Sequence, residues 1–309
     1  MVPRIEYIKK RINWFKKYVP KMFHMQITIM MFEIYGQAVN YMDYDTIMRS
    51  IHRGGGIEKT HTVEINGYTF KVSVEKNDND ILIKILTYKE SNPESCANIS
   101  VDQKSGIAIL GNISYHEGCG KPIQLGHTIY RGMPENPTGS MILKFILKFL
   151  KKNKKALNIN RIVLTDNSYK ICKRCNDIKL SNLNLLLYGD TWYGKYGFRP
   201  YDNNKNAQDK KGIKKYNKNK QIIKQTLVKD VNLIDYIKRG IFKYKLYHID
   251  STILIEKIKE WQDHKLSDVL IALMKEYDKY CCLFEYIQEK LINELNILSF
   301  HHMPFYLDI

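Results

Sequence analysis

A change of hydrophobic period near residue 117 constrains this chain more than any other feature. Before it, apolar and polar residues alternate in short runs. His61–Ile65 and Tyr68–Val74 flank Asn66-Gly67, the strongest short-range signal for a two-residue hairpin. Asp80–Tyr88 reads as a third strand, and Ala97–Val101 and Ile107–Tyr115 flank a second turn at Asp102–Gly106. These runs predict an antiparallel meander. A loop from Glu117 to Thr138 follows, with Pro122, Pro134 and Pro137. Then Thr138-Gly139-Ser140 opens a helix whose apolar face is Met141, Ile142, Phe145, Ile146, Phe149 and Leu150, the 3.6-residue period. Thr138 or Ser140 can cap its first turn. Arg161–Thr165 is a short buried-type strand ending in Asp166-Asn167-Ser168. Leu180–Tyr193 has helical character broken by Gly189, and Tyr196–Pro200 leads into another strand. A meander followed by a βαβ-type crossover predicts a mixed α+β fold.

The flanks differ in character. Residues 1–60 read as a helical addition, with Ile5, Ile8, Ile12, Phe15 and Val19 at helical spacing and lysines mostly on the other face. Residues 61–224 form the central domain, and 225–309 read as a mainly helical extension in which Phe242–Ile249 could still be a strand. The run 203–224 has eight lysines against the single acid Asp209. Its like charges, Asn and Gly predict a solvated, mobile loop.

The net charge of +17 attracts polyanions, whether nucleic acid, an anionic membrane or a phosphate-rich cofactor, and it is concentrated in that run. No apolar stretch reaches the ~18–20 residues of a membrane helix, and the first residues do not read as a secretory signal. Six cysteines in 309 residues are too few for a disulfide scaffold; their spacing predicts reduced thiols in a cytoplasmic compartment. Cys172-x-x-Cys175 alone is a weak metal signal. With His116-x-x-Cys119 it would make a Cys3His zinc site, but the expectation is a metal-free chain. Cys281-Cys282 read as core and His301-His302 as surface.

The stretch Thr191–Asp202, TWYGKYGFRPYD, resembles the closing signature of the GNAT superfamily of acyl-CoA-dependent N-acyltransferases, in which a helix ends in a pattern like Y-x-K-x-G-F before a strand. Tyr193-Gly194-Lys195-Tyr196-Gly197-Phe198 matches it. The meander, the helix after Gly139 and the Arg161–Thr165 strand fall in the family's order. The resemblance covers roughly residues 61–202, with one more strand expected after the basic run, and is closest to GNAT-like proteins of large DNA viruses. For a viral protein the compartment would be host cytoplasm or virion.

The resemblance implies acetyl transfer from acetyl-CoA to an amine (a polyamine, another small amine or a protein amine) by direct attack in a ternary complex. It implies that Tyr193 protonates the departing thiolate. A helix N-terminus suits the cofactor's pyrophosphate, and the residues in the place of the family's Gly-rich loop are Arg131, Gly132, Thr138, Gly139 and Ser140. That loop departs from the family pattern in spacing, and two prolines remove donors. Asn167 and Ser168 occupy the strand end where family members bond the pantetheine arm, although about 25 residues separate Asn167 from Tyr193 where the family has about seven or eight. An amine nucleophile must lose a proton, so a carboxylate is expected within reach; Glu117 and Asp166 are the candidates. The alternative reading is a degenerate GNAT scaffold that binds nucleic acid non-specifically through the basic run or serves in assembly, with the C-terminal helices as a homodimer interface.

Overall fold

The computed structural model describes residues 59–65, 68–77, 80–88, 93–114, 118–122, 138–172 and 174–309. The expected N-terminal helix lies almost entirely outside them. The fold is mixed α+β. Among the described residues, no helix is long and apolar enough to cross a membrane. The chain divides into two compact units, one from Met1–Lys104 and Asn112–Asn158, the other from Ser105–Gly111 and Ile159–Ile309.

The first unit is the expected meander. Strands β1 (Lys59–Ile65), β2 (Tyr68–Asn77), β3 (Asp80–Leu86) and β4 (Ser95–Asp102) pair antiparallel in chain order. Ile65 lies opposite Tyr68, the register of a two-residue hairpin. Alternate positions turn inward, with Phe70, Val72 and Val74 of β2 and Ile81, Ile83 and Ile85 of β3 buried. Short strand β6 (Lys121–Pro122) pairs with the start of β2. Helix α1 (Gly139–Asn153) buries Ile142, Phe145, Ile146, Phe149 and Leu150. Phe145 stacks on Phe70 with ring centroids 5.4 Å apart. Of the two expected caps it is Thr138 whose hydroxyl accepts from Met141 N–H. Cys96 and Cys119 are joined as a disulfide. This corrects the expectation of reduced thiols, because β4 and the 118–122 segment bring the two Cα atoms to 5.8 Å, well inside bonding range.

The second unit is built on a sheet whose order is not that of the sequence. The Ile107–Leu110 part of β5 (Ile107–Ile113) runs parallel to β7 (Arg161–Thr165). Then come β12 (Pro304–Asp308), β10 (Arg199–Asp202) and β11 (Ala207–Gln208), each antiparallel to its neighbour. The last strand therefore lies between two strands that precede it by a hundred residues or more. A separate hairpin, β8 (Tyr169–Lys170) with β9 (Ile178–Lys179), precedes α2 (Leu180–Tyr188), which Gly189 ends in a left-handed conformation. Four more helices, α4 (Leu233–Lys243), α5 (Ser251–Glu260), α6 (Leu266–Met274) and α7 (Tyr277–Glu294), fill the C-terminal part. The alternative strand at Phe242–Ile249 does not form: α4 ends there and turns follow.

The lysine-rich run also differs from its expectation. It is helix α3 (Lys210–Gln225), not a mobile loop. Asp209 caps it by accepting from Gly212 N–H at 2.9 Å. One stripe, Gly212, Tyr216, Asn219 and Ile223, is buried, while Lys210, Lys211, Lys214, Lys215, Lys218 and Lys224 are exposed. Lysine repulsion is weak because these side chains end in water, where unit charges a few ångströms apart interact by ~1 kcal/mol or less. The stripe wins. Tyr216 lies edge-on to Phe300 and Phe305, with centroids at 5.2 and 6.4 Å. Asn219 Nδ2 donates to Leu298 C=O at 2.9 Å. Tyr216→Ala should therefore cost about 3 kcal/mol or more in denaturant unfolding. Tyr216→Phe should be near neutral, since the buried hydroxyl has no hydrogen-bond partner. Were the run a solvated loop, Tyr216→Ala would stay within ~0.5 kcal/mol.

Candidate active site

Strand β7 ends at Thr165, and the next three residues are held by the chain's last turn. Asp166 N–H donates to Met303 C=O at 3.0 Å, and His302 N–H donates to Asp166 C=O at 2.8 Å. The Asp166 carboxyl is fully buried. Its Oδ1 accepts from Ser168 N–H at 3.1 Å and from Ser168 Oγ at 2.5 Å. Its Oδ2 is buried without a hydrogen-bond partner. Burial disfavours the carboxylate and pushes its pKa up to about 6, against the opposing Ser168 hydrogen bonds and the charge of His302.

Tyr193 comes from a different segment and lies near enough to feel the charge of Asp166. Thr191 Oγ1 accepts from Gly194 N–H at 3.0 Å, and a single 3-10 turn follows at Gly194–Tyr196. Both glycines of the signature are required. A Cβ on Gly194 would lie 1.8 Å from the Tyr216 hydroxyl and 2.0 Å from Asp190 Oδ1. Gly197 has φ +96°, and a Cβ there would also press on Leu307, a conformation that favours glycine. Tyr193 is buried between Trp192, at 4.6 Å between centroids, and Phe198, at 5.9 Å. Burial raises the phenol well above its ordinary value, and the negative charge of Asp166 raises it further.

Two histidines join this group. His302 Nδ1 lies 2.7 Å from Asn167 Oδ1. His301 is half-buried, its Nδ1 has no partner, and burial followed by the charges of His302 and Lys179 lowers its pKa. His301 is thus not the surface residue expected, because the turn into β12 carries it back to the end of β7. Adjacent histidines just before a terminal apolar run were the only sequence signal for them.

Asp166, Asn167 and Ser168 thus follow one another at the end of β7, and Tyr193 lies near enough for the charge of Asp166 to act on it. Thr138, Gly139 and Ser140 form the start of α1 in the first unit, where the first turn carries no acidic side chain. Glu117, Arg131 and Gly132 lie outside the described residues. Cys172 and Cys175 do not meet Cys119, which is bound to Cys96; their neighbours are Cys281 and Cys282. The Cys172–Cys281 pair is joined as a disulfide, which again corrects the expectation of six reduced thiols, because α7 packs against the β8–β9 hairpin. No family model, curated protein or solved structure matches this chain.

The group is a buried carboxyl whose pKa is raised to about 6, near enough to a buried phenol for its charge to act there. A carboxyl whose pKa is raised by folding stabilises the fold fully below its unfolded value of about 3.9 and loses that contribution as pH rises through about 6. The loss is on the order of 3 kcal/mol. Urea unfolding of wild type and Asp166→Asn at pH ~4 and ~7 should show the variant gaining relative stability at the higher pH by an amount of this order. Parallel profiles would mean that Asp166 is not desolvated.

Proposed function

We propose that the chain is an N-acetyltransferase of the GNAT type, with its reacting groups at the end of β7. One observation carries this reading: the buried carboxyl of Asp166 and the buried phenol of Tyr193, two segments apart in sequence, lie close enough for the charge of one to raise the pKa of the other. The parallel β5–β7 pair, the helix before β7, and the added strand β12 are in keeping with the family's order.

Acetyl-CoA would supply an activated thioester. Asp166, its pKa raised to about 6 and therefore mostly ionised at neutral pH, accepts the proton that an ammonium substrate must lose, directly or through water. Taking that proton removes the charge that adds to burial in raising the Tyr193 phenol. Tyr193 then becomes a stronger acid at the moment its proton is needed by the departing sulfur. Ser168 keeps Asp166 Oδ1 engaged, leaving Oδ2 as the oxygen that exchanges the proton. The phosphate-binding role assigned to the α1 N-terminus finds support in the first unit alone: the helix start has no acidic side chain to oppose an anion.

Acetyl-CoA at ~100 times its Kd should stabilise the chain by roughly 2.7 kcal/mol. Tyr193→Phe should retain that stabilisation and lose ~10²-fold in kcat with a polyamine or peptide amine acceptor. Absence of any melting shift at millimolar acetyl-CoA would overturn the reading. The exposed lysine face of α3 favours the second reading, polyanion binding. Salt-dependent capture of duplex DNA by a chain indifferent to acetyl-CoA would select it.

A further inference from the structure

The second unit holds four cysteines in one place, none of them among the groups assigned to acyl transfer. Cys172 and Cys175 lie in the connection between β8 and β9, and Cys281 and Cys282 lie in the second turn of α7. The four sulfurs are all within 4.8 Å of one another. Cys175 Sγ is 3.0 Å from Cys172 Sγ, and Cys172 Sγ is 3.6 Å from Cys282 Sγ. The backbone suits chelation. Cys175 N–H donates to Cys172 C=O at 3.3 Å, so the Cys-x-x-Cys closes into a tight turn with both side chains toward the helix.

A disulfide uses only two of these groups. With Cys172 and Cys281 joined, Cys175 and Cys282 are left as thiols beside the bond. A thiol 3 Å from a disulfide sulfur is placed for exchange, so disulfide chemistry alone does not select one pairing of four such neighbours. One tetrahedral zinc ion gives every sulfur the same role. At a Zn–S distance of about 2.3 Å, tetrahedral sulfurs lie ~3.8 Å apart, inside the 4.8 Å that encloses all four here, so reduction and a parting of the Cys172–Cys281 pair bring the cluster to that spacing. Among the described residues the metal-ligating group consists of these four thiols, and the nearby carboxylate of Glu285 is occupied by Asn176 Nδ2 and the Tyr244 hydroxyl.

We propose that Cys172, Cys175, Cys281 and Cys282 form a structural tetrathiolate zinc site in the reduced protein. A dithiol reductant gives two electrons and two protons to the Cys172–Cys281 bond and is itself oxidised to a disulfide. The four thiols then release four protons to solvent as one Zn²⁺ binds. The site would fasten the β8–β9 hairpin, which continues from Asp166–Ser168, to α7. It is independent of the acyltransferase reading.

The test is metal content and cobalt spectroscopy on the full chain, purified under a thiol-free phosphine reductant. Expected are about one equivalent of zinc per chain, a lower melting temperature after chelation, and, on cobalt substitution, the intense visible bands of tetrahedral cobalt thiolate. Cys175→Ser and Cys282→Ser, which leave the Cys172–Cys281 pair intact, should each abolish those bands. Fully reduced, folded protein that takes up neither zinc nor cobalt would overturn the proposal, as would full metal retention in the Cys175→Ser/Cys282→Ser double variant. If a variant fails to fold, the wild-type cobalt spectrum decides alone.

Discussion

Strand β12 pairs with β7 on one edge and β10 on the other, and most of the second unit's order follows from that insertion. Without it, β7 and β10, of five and four residues, would be unconnected, leaving β10 with only the two-residue β11 beside it, and isolated short pairs are marginal in water. Phe305, opposite Leu164 in β7, brings the aromatic contact that anchors Tyr216 and hence α3. Arg161 Nε meets Asp308 at 2.9 Å across 147 positions. That pair is partly exposed and contributes little by itself; the hydrogen-bonded ladder and the buried rings carry the attachment.

The same insertion produces the site. The turn preceding β12 offers Met303 C=O to Asp166 and takes Asp166 C=O with His302 N–H, so the end of β7 is fixed at the backbone. A carboxyl fixed there is buried, and desolvation exceeds what two Ser168 hydrogen bonds return. Such a buried, half-satisfied acid is a cost to the fold. Groups of that kind concentrate where proton transfer is the function, which is the physical case for reading this end of the sheet as reactive.

Much of the local structure was legible. The hairpin around Asn66-Gly67, the apolar face from Met141 to Leu150, the strand at Arg161–Thr165 and the break at Gly189 are all written within a few residues of where they act. Tyr193 stands out only through the resemblance of Thr191–Asp202 to the GNAT signature, and Asp166 only as an acid at a strand end. What could not be read depends on distant partners. The stripe Tyr216–Asn219–Ile223 is hidden among lysines, and its value appears only when Phe300 and Phe305 arrive; the cap at Asp209 was the one local clue. Cysteine connectivity is not determined by spacing, so neither the Cys96–Cys119 link nor the meeting of Cys172 and Cys175 with Cys281 and Cys282 could be foreseen. His301 and His302 reached the site by the same long return.

Amide hydrogen exchange of the intact chain tests most directly whether the inserted last strand organises this unit. Amides of β7, β12 and the paired residues of β10 should exchange as one slow, cooperative set, with the α3 amides around Tyr216 protected alongside them. Exchange of β12 amides at the unfolded-chain rate, while β7 and α3 remain protected, would contradict the account.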